Sequence, residues 1–354
     1  GHRDSSEAVL PNASDLMTVA AARRAAIVVA AAVLLVYPWI APNSYMRYAG
    51  VLVVMYAVLA TSWNLVGGFT GYVSLGHAAF FGLGAYGTGI LIIDLAVPHV
   101  LALAISTVGV VVFAVIVGLA AVRVRGASFV IVSIALVTMM SLIAQDAREL
   151  TGGSSGLRVP PISEDLDRTS NHLLFFNLFA ALLLLATLTW WFIDRSRFGA
   201  GLKAIREDED KAEALGVPTT AYKVAVFALS AGFTGVAGGL YGMWFGNLDP
   251  IFVFSIIVGA NMVIMALLGG VRHLFGPTVG ALIVAPASEY FLTRFGETQI
   301  HIVFSGVLLG IVVLFMPDGI IPKVGALLRR FGPVSSSIRE ETQQELRDRQ
   351  GVGA

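Results

Sequence analysis

Cysteine is absent from all 354 residues, which excludes disulfides, thiolate metal sites and cysteine nucleophiles. Charge is nearly as scarce: 13% of residues are Asp, Glu, Lys or Arg, where a soluble domain carries roughly 25%. Between Tyr48 and Val122 the single formal charge in 75 residues is Asp94. Too few polar side chains remain to cover a soluble surface of this size. That excludes a soluble globular enzyme, a disordered chain and a nucleic-acid binder. Lysine occurs only at 203, 211, 223 and 323, never after a glycine. A phosphate-binding P-loop needs Gly-Lys-Ser/Thr, so any ATP-driven work would be done by another polypeptide. None of the six histidines stands in an HExxH spacing, and neither a metal site nor enzyme chemistry is expected. The net charge of zero points to no partner.

What is present is apolar: 56% of the residues are hydrophobic. A helix crossing a bilayer needs about 20 apolar residues. Ten segments are candidates, the first and ninth of them short: Ala26–Ile40, Met46–Val66, Val73–Ile93, Val100–Val122, Ser128–Gln145, Leu173–Ile193, Val224–Phe245, Phe254–Gly270, Pro277–Phe291 and Ile300–Met316. The expected fold is therefore an all-α, polytopic membrane helix bundle of about ten transmembrane helices. The third and ninth segments carry glycine or proline interruptions and could be broken or re-entrant helices. With the N-terminus inside, 18 of the 23 lysines and arginines fall on that side and five outside. This is the bias of the positive-inside rule, and it makes both termini cytoplasmic.

Domain limits follow. Gly1-His2, with no initiating methionine, is set aside as a cloning remnant, and residues 1–25 form a polar tail. The first apolar segment is read as a retained helix because further spans follow at once. A transmembrane bundle occupies 26–322 and a second polar tail 323–354. The external loop 146–172 carries Thr151–Gly156 and Pro160-Pro161, and reads either as a turn-rich connector or as a docking surface.

Glycines four apart, at 235/239, 238/242, 276/280 and 306/310, put small residues on one helix face, where they let helices approach closely in lipid. Polar side chains within the spans are few: Asn64, His77, Asn261 and Glu289, with Asp94 and Asp249 at outer ends. An intramembrane polar group is by default a functional candidate, so Asn64, His77 and Asn261 are candidates for a translocation pathway. No chain of buried carboxylates marks a proton relay.

The internal loop 194–223 holds 12 of the chain's 46 charges, six basic and six acidic. Leu202, Ile205, Ala212 and Leu215 make a narrow apolar stripe on two short helices. Asp208 is placed to cap the second helix, with Glu209 and Asp210 in its first turn near the positive dipole end. Gly216 stands where a left-handed cap is expected, and Pro218 prevents continuation. Charge balance favours a protein partner over a membrane surface, and that partner is expected to bury the stripe.

These residues also carry a resemblance. NLVGGFTGYVSLGHAAFFGLGAY (Asn64–Tyr86) resembles the N-terminal signature of the branched-chain amino acid ABC importer permeases of the LivM type. RFGAGLKAIREDEDKAEALGV (Arg197–Val217) is similar to that family's cytoplasmic loop, with Glu213, Ala214 and Gly216 at the positions of its EAA-type coupling element. Arg125–Phe129, Thr151–Leu157, Leu267–Ala281 and Phe315–Ile320 fit the same pattern, though Asp318 stands where a basic residue is expected.

The resemblance covers roughly residues 45–322 and implies an importer subunit in a bacterial cytoplasmic (inner) membrane. It implies a second related permease, two ATP-binding subunits that hold ATP and magnesium, and an external substrate-binding protein. Arg206, Glu207, Asp208, Glu213, Ala214, Leu215 and Gly216 become the ATPase-coupling candidates, and the chain itself needs no cofactor. The resemblance implies a branched-chain amino acid or a related small polar solute as substrate, with urea or a short-chain amide as the alternative within the same importer class. A self-sufficient secondary transporter or channel is the reading of another class.

Overall fold

In a bilayer no water can satisfy an open backbone, so apolar segments bond their amides internally as helices. A computed structural model describes residues 37–295 except 122, 164 and 165, with six isolated positions between 303 and 320. The long helices are α1 (Ser44–Thr70), α2 (His77–Ile93), α3 (His99–Ala121), α4 (Ala127–Asp146) and α5 (Arg168–Asp194). A short pair follows, α6 (Arg197–Glu207) and α7 (Glu209–Ala214), then α8 (Thr219–Phe245), α9 (Ile256–Gly269) and α10 (Gly276–Phe295). Among the described residues six helices are long and apolar enough to span a membrane: α1, α3, α4, α5, α8 and the stretch Pro250–Gly269 that ends in α9.

The third expected span is shorter than its apolar run. Helix α2 begins at His77 rather than Val73, because Gly71 closes α1 in the left-handed region (φ 74°) and residues 71–76 leave the helix. That turn is held by the Trp63 indole donating to the Ser74 carbonyl (2.7 Å) and by the Leu75 amide donating to Ser133 Oγ (3.1 Å). The ninth expected span is a continuous 20-residue helix with Pro286 inside it. The expected first and tenth spans, Ala26–Ile40 and Ile300–Met316, and both polar tails lie almost wholly outside the described residues.

Helices α1 and α8 form the centre. Of their most apolar stretches 78% and 72% are buried, against 22% for α3 and 28% for α4. Helix α3 shows why. Ala102, Ser106, Val110, Ala114 and Gly118 recur every fourth residue and face inward. Its outer face carries Leu101, Ile105, Val108, Val112, Ile116 and Leu119, all exposed. Small residues inside and large apolar ones outside is the pattern of a helix solvated by lipid.

The glycine pairs mark the closest crossings. A Cβ at Gly84 of α2 would collide with the Gly235 carbonyl of α8, and one at Gly238 with the Phe81 carbonyl of α2. Likewise Gly280 of α10 admits the Met265 carbonyl of α9. At the end of the bundle away from α6 and α7, Leu157-Arg158 pairs antiparallel with Asn247-Leu248. That two-residue clip ties the loop after α4 to the turn after α8, and the Tyr86 hydroxyl donates to the Leu248 carbonyl (2.9 Å).

Gly238→Ala places its methyl group in a backbone and should cost about 1–3 kcal/mol. Gly109→Ala, with nothing within 4 Å of the new Cβ, should be neutral or stabilise by up to about 1 kcal/mol. Thermal unfolding of the two detergent-solubilised variants checks the contrast; equal melting temperatures would refute the crossing.

Candidate functional site

The short helix pair is built by caps at each joint. Ser196 Oγ accepts from the Gly199 amide (3.0 Å) to open α6, and Asp208 accepts from the Lys211 amide (3.1 Å) to open α7, as its spacing predicted. Helix α7 closes with two reverse bonds, Gly216 N–H to the Glu213 carbonyl (2.9 Å) and Val217 N–H to the Ala212 carbonyl (3.0 Å). Gly216 is left-handed (φ 85°). This is a Schellman ending, which needs a residue without a Cβ at that position.

The apolar stripe overturns one expectation. Leu202, Ile205 and Ala212 are buried, but by this chain's own helices: they pack with Leu65 and Phe69 of α1, Trp190 and Ile193 of α5, and Val226 of α8. Leu215 does not join them and is 84% exposed. A stripe that anchors the pair to its own bundle is not available to a partner. The surface offered outward is the tip: Glu213, Ala214, Leu215 and Gly216 are consecutive and all exposed, with Glu207 exposed at the joint. Arg206 turns inward, where its guanidinium donates to the Gly68 carbonyl at the end of α1 (2.8 Å) and meets Glu207 (3.3 Å). A cation there complements the negative end of the α1 dipole.

Four side chains the sequence reading did not select form the firmest polar attachment. Glu209 Oε2 accepts from the Tyr72 hydroxyl (2.7 Å), and Oε1 meets the Lys223 ammonium (2.6 Å) and the Arg125 guanidinium (3.4 Å). Arg125 also pairs with Asp210 (2.7 Å). Burial works to raise the Glu209 carboxyl, but Lys223, Tyr72 and Arg125 outweigh it and hold it below the ordinary glutamate range. Burial, and the carboxylate it faces, push the Tyr72 phenol well above its usual value. The sequence read Glu209 only as a first-turn acid. Lys223, a lone cation in the first turn of a 27-residue apolar helix, was the available sign that a buried anion must face it.

The pathway candidates separate. His77 is fully enclosed, with both ring nitrogens in use: Nδ1 with Ser74 Oγ (3.1 Å) and Nε2 with Ser230 Oγ (2.8 Å). Phe80 and Phe227 stand edge-on to its ring. Ser230 in turn donates to the Ser62 carbonyl, so the histidine joins α2, α8 and α1. Asn64 is equally buried, yet neither amide atom finds a partner among the described residues. Asn261 is buried as well, and its Oδ1 has no partner there. In lipid such groups are costly, and unpaired amides are where water or a polar solute gains most. The Gly152–Gly156 stretch has G-x-S-x-G spacing, but Ser154 sits exposed in a 3₁₀ turn rather than on a strand-to-helix nucleophile elbow.

An all-α bundle with lipid-type outer faces, polar groups sealed or unpaired at its centre and a capped helix pair at one end defines a multi-pass membrane protein. The chain belongs to the branched-chain amino acid transport system permease family, whose model matches residues 45–316. It is 29% identical over 287 residues to the Escherichia coli K12 high-affinity branched-chain amino acid transport system permease protein LivH, covering 75% of this chain and 91% of LivH. It is 25% identical over 297 residues to LivM of the same organism (77% of this chain, 68% of LivM). To BraD of Pseudomonas aeruginosa it is 27% identical over 283 residues (75% and 91%). No solved structure matches significantly.

Two outcomes follow. A carboxylate whose folded value is depressed stabilises above its unfolded value of about 4.3 and loses that contribution as pH falls through the folded one. Acidification below about pH 4 should therefore loosen α7 from the bundle, and the Glu209→Gln melting temperature should lack that acid limb. At neutral pH the same variant should be about 1.5–3 kcal/mol less stable. His77→Leu takes the ring partner from Ser74 and leaves Ser230 only its bond to the Ser62 carbonyl, and should cost about 1–3 kcal/mol with transport per folded molecule unchanged; a selective loss of transport would place His77 in the pathway.

Proposed function

We propose that this chain is one membrane-spanning permease subunit of an ATP-driven importer for branched-chain amino acids or a related small polar solute. Its place is the bacterial inner membrane, with ten spans over 26–322 and polar tails at 1–25 and 323–354, both cytoplasmic. The importer includes a second homologous permease, two ATP-binding subunits that carry ATP and magnesium, and an external protein that delivers the substrate. Loop 194–223 is its cytoplasmic coupling element.

The observation that carries this reading is the helix pair. Its stripe is fixed inward, its ends are capped, and its tip at Glu213–Gly216 is presented outward with the apolar Leu215 fully displayed. A rigid tip with one apolar knob fits a groove on a partner, and here that partner is the ATPase. Arg206, Glu207 and Asp208 set the tip's angle through their joint contacts. The solute passes by Asn64 and Asn261, whose unpaired amides can exchange hydrogen bonds with a polar cargo; His77 serves as a tie.

Gentle purification from the native membrane, with mass identification of what stays bound, is the test. A second permease and two ATPases are expected. Leu215→Glu and Gly216→Pro, the latter impossible at a left-handed φ, should each reduce ATPase retention about tenfold or more while membrane insertion is unchanged. Leucine uptake should depend on the binding protein and resist competition by urea. A chain that transports alone, on an ion gradient and without ATPases, would establish the secondary-transporter reading instead.

A further inference from the structure

The apolar anchorage of α6 and α7 reaches only part of the bundle. Its packed side chains belong to α1, α5 and α8, with Leu274 of the turn before α10, and among the described residues none is contributed by α2, α3 or α4. Contact with that other group runs through polar atoms at the start of α7. Glu209 meets Tyr72, in the turn that leads from α1 into α2, and Arg125, in the connection between α3 and α4; Asp210 meets Arg125 as well. Lys223 draws the same carboxylate toward α8. Beyond Tyr72 the path continues by packing: its ring stands edge-on to Phe129 in the first turn of α4 (5.1 Å between centroids). Phe129 in turn meets Phe227 of α8 (6.3 Å).

The apolar packing, with the Arg206 bond to the Gly68 carbonyl and the Lys203–Asp194 pair, holds α6 and α7 on α1, α5 and α8, and reaches the α2–α4 group nowhere among the described residues. Charge-assisted bonds to one buried carboxylate are short, directional and stronger than neutral ones. A displacement of the α7 tip is therefore passed on where the directional bonds lie.

We propose that Glu209 is a positioning residue that transmits movement of the ATPase-docking tip to the α2–α4 group, through Tyr72 and Arg125, so that those helices move with the coupling pair. This rests on the ATP-driven importer reading. It assigns the tip to docking and the base of α7 to transmission, two roles that mutation can separate.

The measurement is hydrogen–deuterium exchange of the intact purified complex, nucleotide-free and trapped with ATP and vanadate. In the wild type, trapping should change exchange in 197–216, at the start of α2 (77–81) and at the start of α4 (129–133). Glu209→Gln should keep its ATPase subunits and its response in 197–216, and lose about fivefold or more of the response at α2 and α4. Tyr72→Phe, which keeps the ring on Phe129 and removes only the hydroxyl, should weaken the α2 and α4 response in the same direction. It guards against a folding defect in the first variant. An unaltered α2 and α4 response in Glu209→Gln overturns the proposal, as does a wild-type response that never reaches α2 and α4. Loss of the ATPase subunits from Glu209→Gln would make Glu209 part of the docking surface and overturn it too. If the wild-type chain brings no ATPase at all, the importer reading itself is wrong, and this one goes with it.

Discussion

Lipid gives helices no hydrophobic reason to associate, so a bundle in a membrane stands on how closely backbones can approach. Here that approach is concentrated on α8. Gly235 and Gly239 admit side chains of α3, while Gly238 admits the backbone of α2 itself. Only because α2 and α8 lie this close can one histidine at the start of α2 reach a serine on α8, and that serine a carbonyl of α1. The polar ties inside the bundle are consequences of the glycine contacts. They are short because the small residues let them be.

The same closeness sorts the buried polar groups into two kinds. His77, Ser74 and Ser230 satisfy one another, and Phe80 and Phe227 stand edge-on to the imidazole; such a network fixes register. Asn64 and Asn261 keep amide atoms with no partner among the described residues. Residue type alone does not separate these cases, since a histidine is the more obvious chemical candidate and an asparagine the blander one.

At one end of the bundle, covalent continuity and contact divide the labour. Helices α6 and α7 are joined in sequence to α5 and α8 and rest their stripe on α1, α5 and α8. Contact with the helices further off is left to a few charged atoms around Glu209.

By itself the sequence determined the class of protein, the existence of the apolar helices and the joints of the short helix pair. Apolar runs, capping residues and left-handed glycines act within a few residues, so Asp208, Gly216, the ends of α3 and α4 and the last turn of α5 were legible directly, whereas the polar first turn of α5 from Arg168 was not. The recurring glycines named the close contacts but not which helices meet there. Only the tertiary structure decided which way the stripe Leu202, Ile205 and Ala212 faces, because an amphipathic helix has the same periodicity whether its apolar side meets its own bundle or a partner. Only it brought Tyr72, Arg125 and Lys223, distant in the chain, onto one carboxylate. That juxtaposition depends on how helix ends converge in space, and no local pattern encodes it.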